Sequence, residues 1–230
     1  MSPTLPLPGS PAPQTESKQR TRIPRWLKLG YTLFMAVLIP VYWKNYGPTN
    51  FLYFCDVALL LTLVGVWTEN PLLFSMSAVG ILVPQVLWCL DFVAQLAGYK
   101  LTGMTAYMFD ANRSLFLRGL SLFHGWLPFL LVYCVWKVGY DRRGLKSWTL
   151  LAWVLCLVSY FWLPPAGAHL ADSNIPINVD YVWGLDDSKP QGWLPAPTYL
   201  VAWMGALLAV AFIPVHFLLQ KFFGRAAILL

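Results

Sequence analysis

Four ionisable side chains, Asp56, Asp91, Arg118 and His124, stand in stretches that are otherwise almost wholly apolar, and the thiol of Cys55 adjoins the first of them. An ionised group at the centre of a bilayer costs about 2.5 to 3.5 kcal/mol even on the lenient insertion scale, so each requires a partner or a wet cavity. Thiol, imidazole, carboxylate and guanidinium are the parts of a nucleophilic acyl-transfer site. The expected catalytic set is Cys55 as nucleophile, His124 as its base, Asp56 or Asp91 orienting the imidazole, and Arg118 holding a phosphate or developing oxyanion. A plainer alternative uses the same residues: Arg118 clamps Asp56 or Asp91, His124 bonds to the other carboxylate, and Cys55 packs as a small hydrophobe.

Helical spacing gives these groups neighbours. Asp91 has Trp88 at i−3 and Gln95 at i+4; His124 has Ser121 at i−3 and Pro128 at i+4. Pro128 has no N–H, which leaves the His124 carbonyl as a free acceptor beside an expected kink. Cys89, Cys134 and Cys156 read as packing residues. His216 falls near the end of the last apolar stretch, with no partner expected at its depth. His124 and His216 lie at different depths, which disfavours a bis-histidine haem, and no mid-span lysine offers a Schiff base. The positions of Asp56, Asp91 and His124 carry no spacing diagnostic of a metal site, and no cofactor is expected.

Lipid is the solvent that must hold these residues. Hydrophobic residues make up 58% of the 230 and charged residues only 11%, and apolar runs reach or approach the roughly 20 residues that cross a hydrocarbon core. The fold expected is all-α, one bundle of about six transmembrane helices over 23–230, behind a Pro- and Ser-rich disordered tail over 1–22. The spans are expected near 26–42, 50–67, 72–96, 115–138, 148–163 and 199–217. Pro71 suits a first helical turn, and Pro84 is expected to kink the third span. At about 1.5 Å per residue, Asp56 and Asp91 then lie roughly 9 Å below the outer surface, with Arg118 and His124 at roughly 5 and 14 Å. The loop after Pro165, which contains Asn174, Asn178, Asp180, Tyr181 and Trp183, reads either as a cap over this cluster or as a plain connector.

Orientation follows from the basic residues. With both termini cytoplasmic, eleven of the 16 Lys and Arg stand inside: Lys18, Arg20, Arg22, Arg25, Lys28, Lys137, Arg142, Arg143, Lys146, Lys221 and Arg225. Four stand outside, Lys44, Lys100, Arg113 and Lys189, and Arg118 is within a span. The net charge of +6 is scattered over span ends, so nucleic acid is not an expected partner and membrane lipids are.

The run Asn50 to Leu60, NFLYFCDVALL, followed by Gly119 to Trp126, GLSLFHGW, resembles an integral-membrane superfamily. That superfamily unites androgen-induced-protein-type fatty-acid-ester hydrolases with thiol-dependent lipid acyltransferases. The resemblance implies a bundle of about six helices in which Cys55 is the nucleophile and His124 the base. The segments Leu101 to Thr105 and Gly139 to Arg143 are also similar to uncharacterised bacterial multi-pass membrane-associated proteins, which implies topology but no activity; the membrane expected is the plasma (bacterial inner) membrane. The leading expectation is a lipid hydrolase or acyltransferase open to the outer leaflet. The alternatives are a non-enzymatic scaffold or complex subunit with a structural charge cluster, and a small transporter with Asp56 and Asp91 as a proton relay.

Overall fold

The computed structural model describes residues 22–172 and 174–224. The expected tail lies outside the described residues except for Arg22, as does Arg225. Among the described residues the chain is all-helical, and five helices are long and apolar enough to cross a membrane. Helix α1 is Arg25–Tyr46 and α2 Phe54–Thr68; α3 is Pro71–Leu96, α4 Leu115–Ser121, α5 Phe123–Val138 and α6 Arg143–Trp162. Helix α7, Ala196–Ala206, passes through a π-helical turn over Leu207–Phe212 into α8, Ile213–Phe223. Helices α4 and α5 together form one of the five long segments, and α7 to α8 another.

Local chemistry explains several boundaries. Asn70 caps α3 by accepting from the Leu72 N–H at 2.9 Å, and Pro71 occupies the first turn, where its missing N–H costs nothing. The α3 helix continues past Pro84 to Leu96. The second span differs from the expected one, because a 3-10 turn over Pro48–Leu52 precedes α2 and the α-helix begins only at Phe54. With 15 residues, α2 is shorter than the other apolar helices.

Helix α3 forms the axis, packed on α2, α5, α6 and the π-helical turn. It comes closest to α6, where Gly80 lies directly against the fully buried Trp148 indole and Gly144 lies against Ser75. Phe54 and Phe212 hold that indole edge-on, with centroids at 5.9 and 6.4 Å. Outside this core, Leu33, Phe129, Val201, Val210 and Phe217 are exposed, an apolar exterior suited to lipid.

The two ends of the bundle differ. At one, Glu69 accepts from the Arg22 and Ile23 N–H groups and pairs with Lys28 at 2.7 Å. At the same end the Arg22 guanidinium reaches the Val138 carbonyl, and the Tyr140 N–H the Phe223 carbonyl. This basic end also carries Arg142, Arg143 and Lys146. At the other end, the segment 163–195 meets the first turn of α2 through Asp180, and the segment 97–114 is tied to Asp91 of α3 and to Arg118.

Candidate functional site

The late start of α2 changes the surroundings of Cys55. Cys55 and Asp56 are the second and third residues of the helix, in its first turn, where unpaired N–H groups and the helix dipole favour negative charge. Asp56 is 3% exposed; its Oδ2 accepts from Asn50 Nδ2 at 3.1 Å and from Cys55 Sγ at 3.8 Å, while its Oδ1 is buried without a partner.

A second carboxyl shares this turn. Asp180 Oδ1 accepts from the Phe54 N–H at 3.0 Å, and its Oδ2, like Asp56 Oδ1, is buried and unpartnered. Neither carboxyl has a cation: among the described residues the ion pairs are Lys28–Glu69, Arg113–Asp110 and Arg143–Asp141. Burial pushes the Asp180 carboxyl well above the usual range, the Phe54 N–H opposes this, and neighbouring Asp56 adds to the rise.

Considerable local structure places Asp180 there. Asn178, Asp180 and Tyr181 all have positive φ, at 51°, 58° and 60°. Asn and Asp tolerate this region, but for Tyr it is strained. The surrounding bonds enforce it: Asn178 Nδ2 donates to the Gly184 carbonyl and to Asp187, and the Trp183 N–H donates to Asn178 Oδ1. From α7, Trp203 Nε1 holds the Asp180 carbonyl at 2.8 Å, and Tyr199 holds that of Tyr181 at 3.2 Å. Through Asp180 this loop reaches the first turn of α2, while Asp91, Arg118 and His124 have partners elsewhere.

A second polar layer surrounds His124. Its Nδ1 lies 2.8 Å from the Ser121 carbonyl, which can only accept, so Nδ1 carries the hydrogen and Nε2 of the neutral ring has the free lone pair. The ring stacks on Trp88, with centroids at 4.7 Å, and Trp88 Nε1 donates to Tyr107 at 3.2 Å. Ser121 Oγ meets the Tyr42 hydroxyl at 2.9 Å. The His124 carbonyl freed by Pro128 accepts from Cys89 Sγ at 3.7 Å, so Cys89 has a polar contact as well as a packing role.

The other expected site residues serve the loop over 97–114. Fully buried Asp91 accepts from the N–H groups of Thr102, Gly103 and Thr105 and from both threonine hydroxyls. Arg118 donates to the Met108 carbonyl at 3.1 Å and pairs with neither Asp56 nor Asp91. Of the five residues, then, Cys55 and Asp56 are joined. His124 is oriented by a backbone carbonyl instead of a carboxylate, and no hydrogen bond links it to Cys55. Asn50 and Asp180 complete the α2 site; Asp180 was legible only as one polar residue of a loop, and Asn50 carried no sequence signal. His216, expected without a partner, meets the Tyr140 hydroxyl at 2.6 Å. Among the described residues, no three His, Cys, Asp or Glu side chains converge as metal ligands. Comparison with protein-family models, with curated proteins and with solved structures finds no match to this chain.

Proposed function

We propose that this chain is a six-span protein of the plasma (bacterial inner) membrane, with cytoplasmic termini, that hydrolyses or transfers the acyl group of a membrane lipid ester. The observation that carries this reading is the position of Cys55: a thiol in the first turn of a helix, its hydrogen directed at Asp56 Oδ2. Helix N-termini favour thiolates and present N–H groups to an oxyanion. The two carboxyls oppose a thiolate while charged, and burial, which raises the Asp180 carboxyl, reduces that opposition.

In this scheme Sγ attacks the ester carbonyl carbon, its proton passes to Asp56, and the departing alcohol oxygen takes that proton. The acyl thioester on Cys55 is then attacked by water or an acceptor hydroxyl; its proton goes to Asp56 and returns to sulfur as the thiol re-forms. His124 Nε2 is a second acceptor for the incoming hydroxyl. The basic residues at the end shared by Arg22, Glu69, Val138 and Phe223 support the orientation. The chain meets this end at Arg22, Glu69, Val138 and Phe223, that is, before the first helix and after every second apolar helix, which supports six crossings.

A non-enzymatic reading is favoured by one observation, that Asp91 and Arg118 spend their polar atoms on loop backbone while Cys55 and His124 remain unjoined. One experiment separates the two. The purified protein in nanodiscs is treated with a fluorescent acyl-ester probe, alongside Cys55→Ala, Asp56→Asn and His124→Ala. Catalysis requires labelling that disappears with Cys55→Ala and slows by about 10²-fold or more with Asp56→Asn. Labelling that is absent from the parent, or unchanged in Cys55→Ala, refutes the enzymatic reading.

A further inference from the structure

At the basic end of the bundle, opposite Cys55, an open groove of about 460 Å³ separates α6 from the α7–α8 segment. Its α6 wall repeats at helical spacing: Arg142, Lys146, Thr149 and Trp153 follow at steps of four, three and four residues. Leu208, from the π-helical turn, and His216 form the opposite wall.

The polar groups along this face lack partners. Arg143 is neutralised by Asp141, 2.7 Å away. Among the described residues, Arg142 and Lys146 have no carboxylate in reach, and both are exposed at the positive end of a 20-residue helix. Deeper in, Thr149 is 8% exposed and its hydroxyl bonds nothing. A helical threonine usually bonds the carbonyl four residues back, as Thr32 and Thr68 do here, each at 2.8 Å. Thr149 does not, and the neighbouring indole N–H of Trp153 is likewise buried and unpaired. A native protein leaves few such groups unmet, and these two line the same groove.

We infer that this groove binds an anionic glycerophospholipid of the leaflet at the basic end, with its phosphate on Arg142 and Lys146 and its ester carbonyls on Thr149 and Trp153. The vertical order matches the ligand. On the helical rise, Thr149 lies about 4.5 Å and Trp153 about 10 Å below Lys146, so the two ester carbonyls fall between Thr149 and the upward-reaching indole N–H of Trp153, below the phosphate. Trp153, Leu150 and Leu208 supply the apolar wall for the chains. Basic pockets between transmembrane helices select anionic headgroups in this way. The site is independent of the acyl-ester chemistry proposed for Cys55.

The test is a titration of the full chain in neutral detergent with short-chain phosphatidylglycerol, phosphatidylcholine or inorganic phosphate, read by thermal shift and native mass spectrometry. Phosphatidylglycerol is expected to bind at least tenfold more tightly than phosphatidylcholine. Arg142→Gln with Lys146→Gln should weaken it about 30-fold, at one cation's contribution each, and the isosteric Thr149→Val about 5-fold. Lys44→Gln, at the other end, should leave it unchanged. Equal binding of the two lipids, or unaltered phosphatidylglycerol affinity in either groove variant, overturns the inference. Protection by inorganic phosphate alone, equal to that by the lipid, also overturns it, in favour of a free-anion site.

Discussion

Replacing Asp91 with Ala tests whether a buried carboxylate in an apolar helix serves as a clasp for a loop. The carboxylate receives three backbone N–H groups and two hydroxyls from Thr102, Gly103 and Thr105. The substitution strands them unequally. The Thr105 hydroxyl retains Gln95 Oε1 at 3.0 Å, and Thr102 is exposed enough for water to replace its partner. Thr105 is fully buried, so its N–H bears the full cost of an orphaned donor, about 1 to 3 kcal/mol, and the bonds of the other two N–H groups to a charged acceptor add about 1 kcal/mol each after rehydration. The loop over 97–114 should open by about 3 to 5 kcal/mol, with the helices left in place. Hydrogen exchange in nanodiscs reads this directly: amides of 102–108 should lose protection by about 10² to 10⁴-fold, while those of α3 and α6 remain slow. Acyl-probe labelling per folded molecule should persist if Asp91 acts only on the loop. Unchanged exchange at 102–108 would refute the clasp, and abolished labelling with an intact loop would return Asp91 to the chemistry.

Gly80→Ala drives a methyl group into Trp148 Cε2, against an indole held by Phe54 and Phe212. It should cost about 3 kcal/mol, lowering the melting point by about 6 to 12 °C, whereas Gly125→Ala, with open space around it, should be neutral or slightly stabilising; Trp148→Leu should rescue the former. For Glu69, burial raises the carboxyl, but the Lys28 ammonium and the Arg22 and Ile23 N–H groups outweigh it and hold the carboxyl below its ordinary value. The stability gap between the parent and Glu69→Gln should therefore be full above about pH 5 and close as the pH falls through that lowered value, as followed by thermal aggregation from pH 7 to 3.

Much of the architecture was legible because lipid imposes a simple rule on composition. Runs of apolar residues, the Pro71 start and the single segment from Leu115 to Val138 all follow from local patterns that read the same in any tertiary context. The onset of α2 did not. Asn50 to Tyr53 is apolar enough to continue a span, yet Pro48 and the Asp180 cap set the helix to begin at Phe54. That shift of one turn moves Cys55 from a helix interior to a helix terminus, and with it the chemistry open to the thiol.

The sequence by itself determined that the chain is helical, that its exterior is apolar, and which side chains needed partners, since burial cost depends on residue type alone. Only the tertiary structure decided who those partners are. Asp91 and Arg118 found loop backbone, His124 a carbonyl of its own chain turn, Asp56 the Asn50 amide, and the Phe54 N–H a carboxyl carried 126 residues further along the sequence. Such pairings depend on the direction of a side chain on one element and the return path of another. No local pattern of residues encodes either.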